Sequence, residues 1–347
     1  MRDALIFHTI YGIIYVNKLL KVDFTMKNPP FEITNNVINL ISEISELIGN
    51  ITVTDNFTSN PILRKTNRIK TIHGSLAIEQ NTLSIEQITA VINGKTVIAP
   101  PKDIAEVKNA YEIYEHLDDL NPYSVDDLLI AHGIITKGLI EEAGEFRSRP
   151  VGVVNSDGQI LHFGTLPQYV PKLTMELLEW VRCSEIHMLI KSCVFHYEFE
   201  LIHPFADGNG RIGRLWHRLL LSKWNSVFAW LPVESMIHKK QQEYYYAINE
   251  CNSQGKSTVF IEFMLETIKD TLLDSNENLK NESLSKDELR WFKIKEFLNI
   301  HPLIMNSDVR KLFNVSESTA NRILVKLTKE EKLLKCNRNG HWSYKIK

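Results

Sequence analysis

Residues 203–214 read HPFADGNGRIGR, and no other stretch constrains the fold as tightly. Three glycines, two arginines, an acid, an amide and a histidine are poor material for a packed core. They separate two apolar helical runs, IHMLIKSCVFHYEFELI and RIGRLWHRLLLSKW. The spacing predicts a first helix ending near Ile202, a loop from His203 to Gly210, and a second helix starting near Arg211. Gly208, Gly210 and Gly213 also satisfy G-x-G-x-x-G, the dinucleotide fingerprint. That fingerprint needs a strand before it and a βαβ unit around it. Here a helical run precedes it and no βαβ pattern follows, so the doubly wound fold is set aside.

The residue types in the loop define a chemistry. A helix start offers unpaired N–H groups and the positive end of a dipole. Gly208 and Gly210 have no Cβ, so those amides can approach a ligand closely. Arg211 and Arg214 are three apart and point to one side of the helix. Together these make an anion site with enough cationic donors for several phosphates. Asp207 fits such a site only if a cation bridges it, and Mg²⁺ does this with one carboxylate plus phosphate oxygens. His203 can serve as general base toward a hydroxyl. The composition therefore points to nucleotidyl or phosphoryl transfer to a hydroxyl from Mg²⁺–ATP or a similar donor.

HPFADGNGRIGR resembles the Fic domain signature H-P-F-x-[DE]-G-N-G-R-x-x-R at every specified position. The flanks GEFRSRPVGV and YYYAINECNSQGKSTVFIEFM are similar to Fic sequences too, and the likeness covers roughly residues 60–270. It implies a protein adenylyltransferase, moving AMP from ATP to a Ser, Thr or Tyr hydroxyl of a target protein and releasing pyrophosphate. On that likeness His203 deprotonates the hydroxyl, Asp207 holds Mg²⁺, and Phe205 anchors the loop. The amides near Gly208 and Gly210, with the Asn209 side chain, cradle the α- and β-phosphates. Arg211 adds to phosphate binding and Arg214 grips the γ-phosphate. Tyr244, Tyr245 and Asn252 match positions that contact adenine, although adjacent helix positions such as Tyr244 and Tyr245 cannot face the same way.

Two further segments carry regulation and targeting. RPVGVVNSDGQILHF (149–163) has two β-rich runs around Asp157-Gly158, a hairpin signal. It corresponds to the family's flap, where Val151, Gly152, Val153 and Val154 would hold a target segment by strand addition; a hairpin that merely covers the core is the alternative. SLAIEQN (75–81) resembles the family's inhibitory motif [ST]-x-x-x-E-[GN], with Ser75 and Glu79 one helical turn apart. Gln80 departs from it, standing where Gly or Asn is usual. A carboxylate at Glu79 paired with Arg214 would deny that arginine to the γ-phosphate, a restraint acting in cis. Two alternatives stay open: Glu79 as the base that activates water to remove AMP from a protein, and a DNA-binding regulator with a degenerate nucleotide pocket.

The remaining chain reads as mainly α. Helical patterns cover 34–48 (closed by Gly49), 61–80, 102–119, 124–140, 169–183, 185–201, 211–224, 238–252 and 257–274. The expected organisation is an upstream extension (1–25, with Met26 as start), N-terminal helices with the inhibitory motif (26–100), a Fic core (101–274), a polar linker (275–288) and a C-terminal winged helix (289–347). The last rests on the order helix, helix, helix, hairpin, with Ser316 or Ser318 as a cap and a turn at Asn339-Gly340. Its local basicity admits DNA or a protein as partner. The net charge of −2 advertises no nucleic-acid partner for the chain as a whole. Four cysteines without a C-x-x-C pair suggest a reduced, cytoplasmic protein with no disulfide framework. The first apolar run is too short to span a membrane. The expected partners are ATP and a hydroxyl-bearing target protein, this chain included, and a homo-oligomer is compatible with the sequence.

Overall fold

A computed structural model of the chain describes residues 28–53, 61–154, 160–281, 286–338 and 341–347. The expected extension at 1–25 and the turns at Asp157-Gly158 and Asn339-Gly340 lie outside the described residues. The chain divides into a larger compact unit reaching Asn276 and a smaller one made chiefly of Glu277–Lys347.

The larger unit opens with α1 (Asn35–Val53), α2 (Pro61–Ile78), α3 (Ile85–Ile92), α4 (Pro101–Glu115) and α5 (Val125–Ile135). A two-stranded antiparallel ribbon follows, β1 (Gly152–Val154) and β2 (Ile160–Phe163), in register Gly152 to Phe163 and Val153 to His162, with an irregularity before Val154. Then come α6 (Val170–Cys183), α7 (Met188–Ile202), α8 (Asn209–Trp224), α9 (Val233–Lys239), α10 (Gln241–Gln254) and α11 (Thr258–Asn281).

Helix α7 is the axis of this unit. Nearly every residue of MLIKSCVFHYEFELI is buried, polar ones included, as expected of a helix surrounded by others. Helices α6 and α8 pack along it. Gly213 makes the α7–α8 approach close: a Cβ there would lie 3.0 Å from Glu200 Oε1 and 3.2 Å from the His196 ring. Trp216 of α8 is fully buried and donates its indole N–H to Pro122 O at 2.9 Å. The segment before α1 is tied to α11, with Ser257 N–H donating to Pro30 O at 2.9 Å and Glu32 N–H to Thr258 Oγ1 at 2.9 Å.

Helix α2 is fixed to the same core by its polar groups. Buried Arg218 of α8 pairs with Glu234 of α9 and donates to Thr71 Oγ1 of α2 at 2.9 Å. Ser235 donates its hydroxyl to Lys70 O at 2.7 Å, and Gln241 its amide to Ile78 O at 3.1 Å. Gly74 lets α2 touch the chain at Glu234-Ser235: a Cβ there would meet Ser235 N at 2.6 Å. The end of α2 that carries Ser75 and Glu79 is thereby held rigidly.

The smaller unit contains α12 (Lys286–Ile300), α13 (Asn306–Phe313), α14 (Glu317–Lys329) and an antiparallel hairpin, β3 (Leu333–Arg338) with β4 (His341–Ile346). Ile294, Ile304, Val309, Ile323, Leu324, Leu327, Leu333 and Tyr344 form its core. Ser316 is the cap of α14, accepting from Thr319 N–H at 3.4 Å.

Several boundaries differ from expectation. Helix α1 runs past Gly49 to Val53, because Ile51 is buried and continues the apolar stripe. Helix α5 stops at Ile135 rather than 140, where Thr136 caps it and Gly138 takes a positive φ of 71°. The run at 238–252 is two helices, α9 and α10, meeting at Lys240. The linker expected at 275–288 is helical as far as Asn281, as the end of α11. Helix α3 was not anticipated, yet its signal is legible: Ser84 and Gln87 form a capping box.

Gly49 of α1 and Gly74 of α2 differ in a testable way. Gly49 has nothing within 4 Å of a Cβ position, so Gly49→Ala is expected to stabilise by about 0.5–1 kcal/mol. Gly74→Ala forces backbone against backbone and is expected to cost about 1–3 kcal/mol. Thermal unfolding of both variants checks this, and a Gly74→Ala midpoint at or above that of the unsubstituted protein contradicts the close approach.

Candidate active site

The loop between α7 and α8 is built around three backbone-directed side chains. His203 caps α7 in the left-handed conformation, φ 51°, which is unusual for a residue with a Cβ. Arg147 holds it there: Nε donates to His203 O at 2.6 Å, and the guanidinium also reaches the carbonyls of Ile202, Thr165 and Arg149. Asn209 closes the turn, its Oδ1 accepting from Phe205 N–H and its Nδ2 donating to Phe205 O, both at 2.8 Å. The Phe205 ring is fully buried and stacks on His132 with centroids 3.7 Å apart.

His132 on α5 fixes the far side of the loop. Gly144 N–H donates to its Nδ1 at 3.0 Å, so Nε2 carries the hydrogen and donates to Asp207 O at 3.0 Å. Burial pushes its pKa down to about 4, which keeps the imidazole neutral. Gly208 then begins α8 at φ 83°, with a hypothetical Cβ only 2.9 Å from Thr136. A side chain is excluded there both by conformation and by space.

The His203 ring lies beside this turn. Its Nδ1 is 3.3 Å from Glu200 O, and a carbonyl only accepts, so Nδ1 is the protonated nitrogen of the neutral ring. The lone pair is left on Nε2, the condition for a general base. Asp207 is half exposed, and its loop hydrogen bonds fall on Oδ1, from Gly208 N–H at 2.5 Å and Arg211 Nη2 at 3.3 Å. A single half-exposed carboxylate beside a helix N-terminus suits Mg²⁺, which takes one such ligand together with substrate phosphates. Among the described residues no cluster of three or more acidic, histidine or cysteine side chains forms an all-protein metal cage.

The N-terminus of α8 already has an anion against it. Glu79 Oε1 accepts from Arg214 Nη2 at 2.7 Å, and a Cβ on Gly210 would lie 2.4 Å from that same oxygen. The carboxylate thus occupies space at the helix start, where the dipole favours negative charge. Arg214 is almost fully buried and also donates to Ser75 O at 3.0 Å and Ser75 Oγ at 3.3 Å. Burial works to lower its pKa, but the charge of Glu79 and its neighbours outweighs this and the net shift is upward. Ser75 and Glu79 therefore meet Arg214 together. Gln80 follows with φ 66°, a left-handed turn that Gly or Asn adopts more readily. Gln80 is held in that conformation here.

Other expected ligand contacts are placed differently. Tyr244 is buried core, its hydroxyl 3.1 Å from His196 Nε2, because its position on α10 faces α7. Tyr245 is partly exposed; burial raises its phenol, and Glu79 and Arg214 are among the charges acting on it. Asn252 accepts from the Tyr197 hydroxyl at 2.9 Å. The Asn209 side chain is engaged by the loop itself, which leaves phosphate contact at that residue to its backbone. Arg211 is buried, bridging Glu106 at 3.4 Å and Asp207 at 3.3 Å. Flap residues Val151 to Val154 lead into and form β1. Sequence reasoning missed Arg147, His132 and Glu106. Arg147 lies inside the GEFRSRPVGV segment, where an arginine close to a proline and glycine was the available signal.

The Fic/DOC family profile matches residues 122–221, which contain the loop and both flanking helices. A crystal structure of a Fic family protein from Desulfovibrio desulfuricans G20 is similar with a TM-score of 0.72 at 37% identity, over 92% of this chain and 98% of that one. The chain belongs to the Fic family. Among curated proteins it is 29% identical over 194 residues to protein adenylyltransferase fic-1 of Caenorhabditis elegans, covering 52% of this chain and 36% of that protein. It is 27% identical over 213 residues to protein adenylyltransferase Fic of Nematostella vectensis, covering 58% of this chain and 47% of that protein. The chain thus spans less than half the length of these curated relatives.

Buried titratable groups behind the Fic loop set a pH dependence. Burial raises Glu198 to about 8 and Glu200 to about 7, from an ordinary 4.5. The folded state keeps those protons where the unfolded chain has lost them, so stability falls as pH rises from 4.5 toward 8. Burial lowers His132 to about 4 and His217 to about 3, from an ordinary 6.5. The unfolded chain takes up those protons first, so stability falls as pH drops below 6.5. Above 6.5, of these four groups the glutamates dominate, and the thermal midpoint is expected to decline toward pH 8. Glu198→Gln is expected to flatten that decline; an unchanged slope between the two proteins would show that the carboxyl does not titrate there.

Proposed function

We propose that this protein transfers AMP from Mg²⁺–ATP to a Ser, Thr or Tyr hydroxyl of a target protein, releasing pyrophosphate, and that Glu79 restrains the reaction in cis. The observation that carries this is the Glu79–Arg214 contact at the start of α8, 2.7 Å long and packed on Gly210. A carboxylate stands where a loop of this composition would place phosphate, and it holds the arginine best placed to receive one.

The chain's own groups divide the work. Amides of residues 208–210 and the dipole of α8 hold phosphate oxygens. Arg211 and Asp207 form one hydrogen-bonded pair at 3.3 Å, so the cation and the metal-binding carboxylate are kept in fixed relation. Mg²⁺ on Asp207 would neutralise charge on the phosphates. His203 Nε2 accepts the proton of the incoming hydroxyl as its oxygen bonds to the α-phosphorus. The bond from that phosphorus to the bridging oxygen breaks, and pyrophosphate carries the electron pair away. Arg147 and His132 position the loop so that little reorganisation is needed at the moment of reaction.

Restraint follows from competition. While Glu79 pairs with Arg214, the guanidinium cannot hold the γ-phosphate, and ATP binds without its α-phosphate aligned to His203. The names of the curated relatives support the transfer reading, and the flap beside the loop offers a strand for the target segment.

Incorporation of labelled AMP into the protein itself and into a lysate tests the proposal. Glu79→Gly is expected to raise transfer ten- to a hundredfold, since a charge-assisted pair contributes about 1.5–3 kcal/mol. Glu79→Gln should release it partly, and adding Arg214→Ala to Glu79→Gly should abolish the gain. His203→Ala in the Glu79→Gly background should remove transfer while ATP still binds. No gain from Glu79→Gly contradicts the restraint, and a fall would instead mark Glu79 as a base for AMP removal. Undiminished transfer without His203 contradicts the base assignment.

A further inference from the structure

The smaller unit differs from the rest of the chain in charge. Residues 286–347 contain fourteen Lys and Arg against seven Asp and Glu, a net charge of +7, while the preceding residues contain twenty-six against thirty-five, a net charge of −9. The near-neutral total hides this asymmetry, and a separately folded basic unit on an acidic chain is a signature of a polyanion partner. None of these residues takes part in the chemistry assigned to the Fic loop.

The arrangement of the charges narrows the partner. Ala320, Ile323, Leu324 and Leu327 turn one face of α14 into the core. The opposite face is exposed and carries Ser318, Asn321, Arg322, Val325 and Lys329. Arg and Asn present paired hydrogen-bonding groups of the kind that read base edges, and Ser is compatible with either base or phosphate. A single helix with its side chains is about 10–12 Å across, which matches the roughly 12 Å width of a DNA major groove.

Glu317, in the exposed first turn of α14, is an acid beside this stripe, while three other acids of the unit are paired elsewhere. Asp287 pairs with Lys326 at 2.5 Å and Arg290 at 3.2 Å, Glu330 with Lys332 at 2.8 Å, and Glu331 with Lys347 at 2.7 Å. Their negative charge is matched by lysines and arginines other than Arg322 and Lys329. The hairpin adds exposed Lys335 and Lys345, with the Lys335 ammonium 3.9 Å from the centre of the exposed Trp342 ring. A helix presenting polar readers plus a basic hairpin is the order used by winged-helix proteins on duplexes.

We propose that the outer face of α14, with the β3–β4 hairpin, binds double-stranded DNA. Phosphate contacts by Lys329, Lys335 and Lys345 would supply most of the affinity, and Arg322 with Asn321 would contribute base contacts. The proposal is independent of AMP transfer and of Glu79.

The test uses the full chain and a fluorescently labelled duplex of mixed sequence, read by anisotropy. Binding is expected near 50 mM salt and should weaken about fortyfold toward about 200 mM, as the counterions of about three phosphates are released. The Arg322→Glu, Lys329→Glu double variant should lose at least about tenfold in affinity, because a base-contacting and a phosphate-contacting cation both become anions that the duplex repels. Its thermal midpoint should be unchanged, since both side chains are exposed. Lack of duplex binding at low salt overturns the proposal. So does equal binding by the double variant, or a preference for polyglutamate or anionic phospholipid vesicles over duplex, which would assign the basic unit to an acidic protein or a membrane surface.

Discussion

The start of α8 is a place that demands an anion. Its first-turn amides and dipole create the demand, Gly208 and Gly210 open the approach, and buried Arg214 strengthens it. A buried guanidinium without a partner would cost several kcal/mol. Glu79 answers that cost by reaching from another helix to within 2.7 Å. The same electrostatics that would suit a phosphate therefore suits the carboxylate that stands there. On the proposed function, inhibitor and substrate would compete for one physical feature, with no separate regulatory site required.

That competition works only if α2 cannot drift. Its position is overdetermined: Gly74 lies against the backbone at Glu234-Ser235, Arg218 reaches Thr71, Ser235 reaches Lys70, and Gln241 reaches Ile78. The loop on the other side of the site is equally fixed, by Arg147 on the carbonyls, Asn209 on Phe205 and neutral His132 on Asp207. The left-handed His203 persists because its carbonyl is held. What can change is therefore the pairing of Glu79, whose carboxylate is 36% exposed while its partner is 1% exposed. The exposed member of the pair is the one that can leave.

Much of this was legible in the sequence. The glycines and arginines of 203–214 defined a helix–loop–helix anion site from residue chemistry, and the Ser75 to Glu79 spacing put both residues on one helix face; the contact of Ser75 with Arg214 came from the fold. The long amphipathic helices were visible from periodicity. Short α3 was not, because eight residues give too little periodicity and only the cap betrays it. The supporting residues were invisible for a different reason. Arg147, His132 and Glu106 come from segments distant in sequence, and only the fold brings them to the loop. Tyr244 shows the converse: a residue type suited to stacking on a base is turned inward by its helix phase. At Gln80 the backbone takes a left-handed turn that a residue with a Cβ adopts less readily, a conformation one sequence alone does not reveal.

The central claim is that Arg214 is withheld from the terminal phosphate by Glu79, and the contrast between ATP and ADP measures it directly. Calorimetric titration of both nucleotides with Mg²⁺, on the unsubstituted protein and on Glu79→Gly, isolates the contribution of the γ-phosphate. The account predicts similar affinities for ATP and ADP while Glu79 is present, and a preference for ATP larger by about tenfold or more once it is gone, the value of one charge-assisted contact. An ATP-to-ADP ratio that is the same in both proteins would contradict it.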